Sequence, residues 1–137
     1  MPHDPELVAE TRAWLAKAGM DLEAATLDLT ARTKLAADVV FHAQQAVEKA
    51  LKGFLTWHSC TFRKTHSLEE LGEQCQQFDT TLRPVIDIAV PLTKYAWKYR
   101  YPGDPAEPTS QEATESLAIA REVYDAVLSR LPGEVRP

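Results

Sequence analysis

The chain has 137 residues, 45% of them hydrophobic and 26% charged, the balance of a single globular domain with its core over about residues 5–131. Net charge is −5, which argues against indiscriminate adhesion to nucleic acid. The Met-Pro-His-Asp-Pro-Glu start has no basic run or apolar core, and no stretch nears the roughly 20 apolar residues of a membrane helix, so neither signal peptide nor membrane span is expected. Cys60 and Cys75 form no CxxC pair and read as free thiols, which fits a reducing, cytoplasmic setting.

Asp4-Pro5 marks the first helix: a capping carboxylate, then proline in the first turn, with Glu6 beside the positive end of the helix dipole. Val8, Thr11, Leu15, Ala18, Leu22, Ala25 and Leu29 recur at spacings of three and four and carry that helix to about residue 29. A second helix is predicted from about Leu35 to Trp57, with Val40, Ala43, Val47, Ala50 or Leu51, and Phe54 inward. Its other side carries Asp38, His42, Gln45, Lys49 and Lys52, and its small residues Ala43, Ala46, Ala50 and Gly53 suit a close helix neighbour.

Residues 58–66 read as a loop, and Ser67-Leu-Glu-Glu70 as a capping box that opens a short third helix with Leu68, Leu71, Cys75 and Phe78 inward. Thr80 or Thr81 opens a fourth helix, interrupted at Pro91 before the aromatic segment Tyr95–Tyr101. The three prolines and Gly103 of residues 102–109 predict a stiff loop. Thr109-Ser-Gln-Glu112 is a second capping box, and the last helix runs through Ala113, Leu117, Ala120, Tyr124, Val127 and Leu131 to the stop at Pro132-Gly133. No strand pattern or repeat is present, so the fold class is all-α: an up-and-down antiparallel bundle of four to five helices.

Charge is uneven along this bundle. Residues 33–66 hold five Lys/Arg against two acids, and residues 80–103 hold four against one, a local excess of +3 in each. One cationic face on an acidic body could receive a phosphate. His42, Gln45 and Lys49 follow one another by three and four residues and project together. Lys49 and Lys52 suit phosphate oxygens, while His42 and Gln45 suit a base, sugar or phosphate edge. The same stripe also fits a hydrated surface or a polar seam between two subunits. Lys64-Thr65-His66 precedes a helix N-terminus, where free N–H groups favour anions, although its plainer task is to set Ser67 as cap. Tyr95, Trp97, Tyr99 and Tyr101 flank Lys98 and Arg100, but at helical geometry residues two apart diverge, so they divide between core and surface rather than form one stacking platform. His58, Cys60 and His66 lack a fourth ligand and a zinc spacing, so no metal is expected, and nothing in the chain calls for a cofactor.

The run Phe41-His-Ala-Gln-Gln-Ala-Val-Glu-Lys-Ala-Leu-Lys52 resembles the second-helix signature of HEPN domains, nucleotide-binding domains of higher eukaryotes and prokaryotes. Lys64-Thr-His-Ser-Leu68 resembles the family's Lys-Thr-His-x-Leu turn, and Arg100-Tyr-Pro102 its Arg-Tyr-Pro segment; Trp14, Ala18 and Asp21-Leu22 are similar to its first helix. The resemblance covers about residues 8–131. It implies a homodimer that works beside a minimal nucleotidyltransferase protein, often as a toxin–antitoxin pair. Some members are ribonucleases with an Arg and a His separated by four to six residues, and no Arg–His pair here has that spacing. The nearest are Arg63 with His66, two residues between, and Lys52 with His58, with Lys in the Arg role. The expectation is therefore a non-catalytic nucleotide-binding module in which His42, Gln45, Lys49, Lys52, Lys64, His66 and Arg100 contact a nucleotide or RNA. A diverged ribonuclease and a structural dimer that binds no nucleotide are the alternatives.

Overall fold

A computed structural model describes residues 2–33, 35–103 and 106–137. It is all-helical: α1 spans Pro5–Thr30, α2 Ala36–Trp57, α3 Leu68–Gln76, α4 Arg83–Ala89 and α5 Ser110–Ser129. Short 3₁₀ turns cover Thr80–Leu82, Val90–Ala96 and Gly133–Val135. Among the described residues no helix is long and apolar enough to cross a membrane.

Local chemistry explains the boundaries. Asp4 accepts a hydrogen bond from the Glu6 amide at the head of α1, with Pro5 in the first turn. Thr109 and Glu112 make the full reciprocal capping box of α5. At α3 only half of the expected box forms. Ser67 accepts from the Glu70 amide at 3.1 Å, but the Ser67 amide is already bonded to Thr65 Oγ1 at 3.0 Å. The Glu70 carboxylate turns outward instead and holds Arg63 at 2.6 and 3.0 Å. The fourth helix starts two or three residues later than its threonines suggest, because Asp79 caps a tight 3₁₀ turn first. Pro91 lies in the 3₁₀ segment that follows, where a missing amide costs least. The loop over residues 102–109 includes two positions, 104 and 105, outside the described residues.

Pairings from Trp14 beside Gly53, through Asp21 beside Lys49, to Asp28 beside Asp38 make α1 and α2 an antiparallel hairpin. A Cβ on Gly53 would come within 3.1 Å of the Leu15 side chain, the close approach that the small residues of α2 predict. α5 returns beside both, antiparallel to α1, with the Tyr124 hydroxyl against Gly19 and Arg121 on Thr26 Oγ1 at 2.6 Å. α2 is the central rod. It touches α1, α3, α5 and the Val90–Ala96 segment, and Val39, Val40, Ala43, Val47, Leu51, Phe54 and Leu55 are buried along it. Burial extends past the apolar stripe to Gln44, Glu48 and Lys52, while Asp38, His42, Gln45 and Lys49 on the opposite side are half-buried. Phe78 departs from the inward pattern of α3: it is 44% exposed, because the chain leaves the helix at Gln77, and its ring stacks on His58.

Candidate functional site: two carboxylate-centred clusters on the second helix

A polar residue buried in a helix seam must find a partner within the protein. Asp21 occurs in phase with the apolar stripe of α1, three residues after Ala18 and four before Ala25, and its side chain is only 10% exposed. Two residues of α2 satisfy it. Lys49 Nζ donates to Oδ2 at 2.7 Å, and His42 Nδ1 donates to Oδ1 at 2.8 Å. That bond places a proton on Nδ1 and turns Nε2 toward Asp38 Oδ2, 3.5 Å away. Asp38 Oδ1 in turn accepts from Arg100 Nη1 at 3.1 Å, and the guanidinium lies over the Phe41 ring, 3.7 Å from its centre. Tyr99 takes a left-handed backbone (φ 68°), an uncommon state for a large residue, and it turns Arg100 onto this face. Asp28, from the last turns of α1, lies beside Asp38. Burial and the Asp38 carboxyl push Asp28 above the usual carboxylate range. In Asp38 burial acts upward too, but Asp28, His42 and Arg100 outweigh it and hold the group below that range.

The second cluster is centred on Glu48, whose side chain is 5% exposed. Its Oε2 accepts from Lys52 Nζ at 3.0 Å, and its Oε1 from His66 Nδ1 at 2.7 Å and Gln44 Nε2 at 3.3 Å. Gln44 Nε2 also reaches the His66 carbonyl at 3.2 Å, while Gln45 donates to Gln44 Oε1 at 2.7 Å. The Lys52 ammonium sits 5.6 Å from the Trp14 ring centre and 5.8 Å from that of Phe62, so an aromatic wall and one carboxylate accommodate the buried charge. His66 is the wet member of the cluster, its side chain 62% exposed.

The seven sequence-predicted residues are thus not brought into one pocket. His42 and Lys49 meet at Asp21, Lys52 and His66 meet at Glu48 with Gln45 one residue removed, Arg100 holds Asp38, and Lys64 is exposed on the loop before α3. Arg63, the cation nearest His66 in sequence, is engaged by Glu70. Sequence reasoning missed the carboxylates that organise both clusters, Asp21 and Glu48. For Asp21 the signal was its phase with Leu15, Ala18 and Ala25. Of the aromatic segment, Tyr95 is buried with Tyr99 stacked beside it, while Trp97 and Tyr101 are exposed. A cavity of about 570 Å³ opens beside the first cluster, lined by Ala36, Ala37, Asp38, Tyr99, Arg100 and Ser110 among others. Two helix N-termini border it, and that of α2 has no side-chain cap.

Bundle and clusters together define an all-α helical domain whose long antiparallel helices enclose a charged seam. The HEPN domain family model matches residues 11–131, and the chain belongs to that family. No curated protein and no solved structure matches it significantly.

Proposed function

We propose that this HEPN domain is a non-catalytic module that binds a phosphorylated nucleotide, works as a homodimer and pairs with a separate minimal nucleotidyltransferase in a toxin–antitoxin-like arrangement. At the family level the domain is a nucleotide-binding or ribonuclease-type module. The binding half of that description is favoured here by one observation, the cavity beside Arg100. Its guanidinium presents a planar fork suited to phosphate oxygens, and the uncapped first turn of α2 on the same wall leaves amides for an anion. Asp38 and Glu107 on the wall oppose a free polyanion, so one phosphate with a base or sugar fits better than an extended backbone. His42 and Lys49 stand behind this wall through Asp38 and Asp21, while Lys52 and His66 are held by Glu48 in the other cluster and do not line it. Against the ribonuclease reading stand the absent Arg–His spacing and the engagement of Arg63 by Glu70.

Calorimetric titration with AMP and ATP, wild type against Arg100→Ala, tests this. Loss of a charge-assisted phosphate contact should lower affinity by at least about tenfold, the equivalent of roughly 1.5–3 kcal/mol. Equal affinity in the two proteins would remove the cavity from consideration. Labelled single-stranded RNA should stay intact with wild type and with His66→Ala alike; cleavage lost in that variant would make the protein a diverged ribonuclease.

A further inference from the structure

The arrangement around His42 is asymmetric in a way that the helix seam alone does not require. Nδ1 donates to Asp21 at 2.8 Å, which points the other ring nitrogen, Nε2, at the Asp38 carboxylate. The 3.5 Å from Nε2 to Asp38 Oδ2 is too long for a charge-assisted hydrogen bond, which prefers about 2.7–2.9 Å. It matches the roughly 3.3 Å that separates two ligand atoms of a tetrahedral ion with bonds of about 2.0–2.1 Å. One ligand atom from each of Asp28, Asp38 and His42 lies within 4.8 Å of the other two. Asp28 Oδ2 itself is shut off from solvent, with under 1 Å² accessible, and has no hydrogen-bond partner of its own among the described residues, although the half-buried Asp28 side chain is otherwise bonded to the Asp38 carboxyl. A buried carboxylate oxygen without a donor is costly unless a cation meets it.

We propose that Asp28, Asp38 and His42 form a binding site for one divalent transition-metal ion of the zinc class. His42 Nε2, Asp38 Oδ2 and a carboxylate oxygen of Asp28 supply three ligands, and water completes the shell. One nitrogen with two carboxylate oxygens suits zinc or cobalt better than magnesium, which prefers oxygen alone. The outer shell is in place already. Asp21 orients the histidine through Nδ1, as carboxylates do behind metal-bound imidazoles, and Arg100 holds the other oxygen of Asp38. Charge agrees: Asp21 is balanced by Lys49, and Asp28 and Asp38 against Arg100 leave one negative charge for the ion. The three ligands come from the end of α1 and the start of α2, so the ion would pin the α1–α2 hairpin. Their positions, 28, 38 and 42, make no recognisable metal motif in sequence because the ten-residue gap spans the turn between two helices.

The site shares Asp38 and Arg100 with the wall of the nucleotide cavity, so it is tested with the metal alone and no nucleotide present. Metal-stripped full-length protein is titrated with Zn²⁺ by calorimetry and with Co²⁺ by visible absorption. The expected result is one ion per chain, Co²⁺ bands of a four- or five-coordinate nitrogen–oxygen site, and a raised thermal midpoint with Zn²⁺. Asp28→Asn and His42→Gln should each weaken Zn²⁺ by more than about tenfold, and Asp21→Asn by about 10–100-fold through the outer shell. Asp28→Asn is isosteric and carries the test if His42→Gln does not fold. No saturable binding by wild type would overturn the proposal, as would Asp28→Asn binding Zn²⁺ as tightly as wild type, which would place the ion on other histidines or on Cys60.

Discussion

His58 ends α2 as a ring packed between two others. It stacks on Phe78 at 4.7 Å with 16° between the planes, and its centre lies 4.5 Å from that of Phe54. Burial pushes its pKa down, and the nearby Asp79 only partly offsets this. The fold therefore favours the neutral imidazole, while the unfolded chain takes up its proton near pH 6.5. The stabilisation is complete above that pH and is lost progressively as pH falls through 6.5 toward the lower folded value. The urea midpoint should accordingly decline between pH 7 and 5, and His58→Phe, which keeps the stack and removes the titration, should flatten that decline. Parallel pH profiles for the two proteins would show that another group governs the acid limb. Nothing in the sequence marks this role. Phe78 has the spacing of an inward residue of α3, but the helix stops at Gln77, and the ring that covers His58 stays 44% exposed.

Between elements, close approach decides more than propensity does. Gly72 of α3 faces α4, and a Cβ there would fall 2.4 Å from Ile86 Cγ2. Ile86 is β-branched and buried, so that methyl cannot swing aside without leaving its rotamer. Gly72→Ala gains about 1 kcal/mol of helix propensity but forces an overpacking strain of roughly 1–3 kcal/mol, so a net loss of about 1 kcal/mol is expected in denaturant unfolding. In an Ile86→Ala background the clash is gone, and the same substitution should be neutral or stabilising. Additive losses in the double mutant would mean that α3 and α4 do not meet at this point. Helix ends such as Asp4-Pro5 and Thr109–Glu112 were legible in sequence because a cap is a contact between residues two or three apart. The partners of His42, Lys49, Lys52 and His66 were not, because helical spacing shows which residues share a face and is silent about what another helix sets opposite. A lysine at a polar position of α2 looks the same whether water or Asp21 receives it.

At the scale of the molecule, α2 packs against α1, α3, α5 and the Val90–Ala96 segment, and two of its charged residues are nearly as enclosed as its apolar ones. Glu48 and Lys52 are the sharpest case: a carboxylate and an ammonium, 5% and 8% exposed, with His66 and the Trp14–Phe62 wall completing their environment. A buried pair of this kind contributes little net stability as a pair, but removal of one partner leaves the other charge uncompensated, at a cost of about 3–5 kcal/mol. Glu48→Gln keeps the shape and removes the charge, so its loss of stability should approach the lower end of that range. The location of the effect is more informative than its size. If α2 can exchange its amides only when the whole bundle opens, hydrogen exchange of residues 43–55 should accelerate uniformly in the variant, by the factor that matches its loss of global stability. Residues 97–103, already in turns outside the helices, should change little. Acceleration confined to the half of α2 that faces His66 and α3 would show instead that the α1–α2 hairpin, with its Asp21 and Asp38 clusters, persists as a separate cooperative unit after the rest of the bundle has opened.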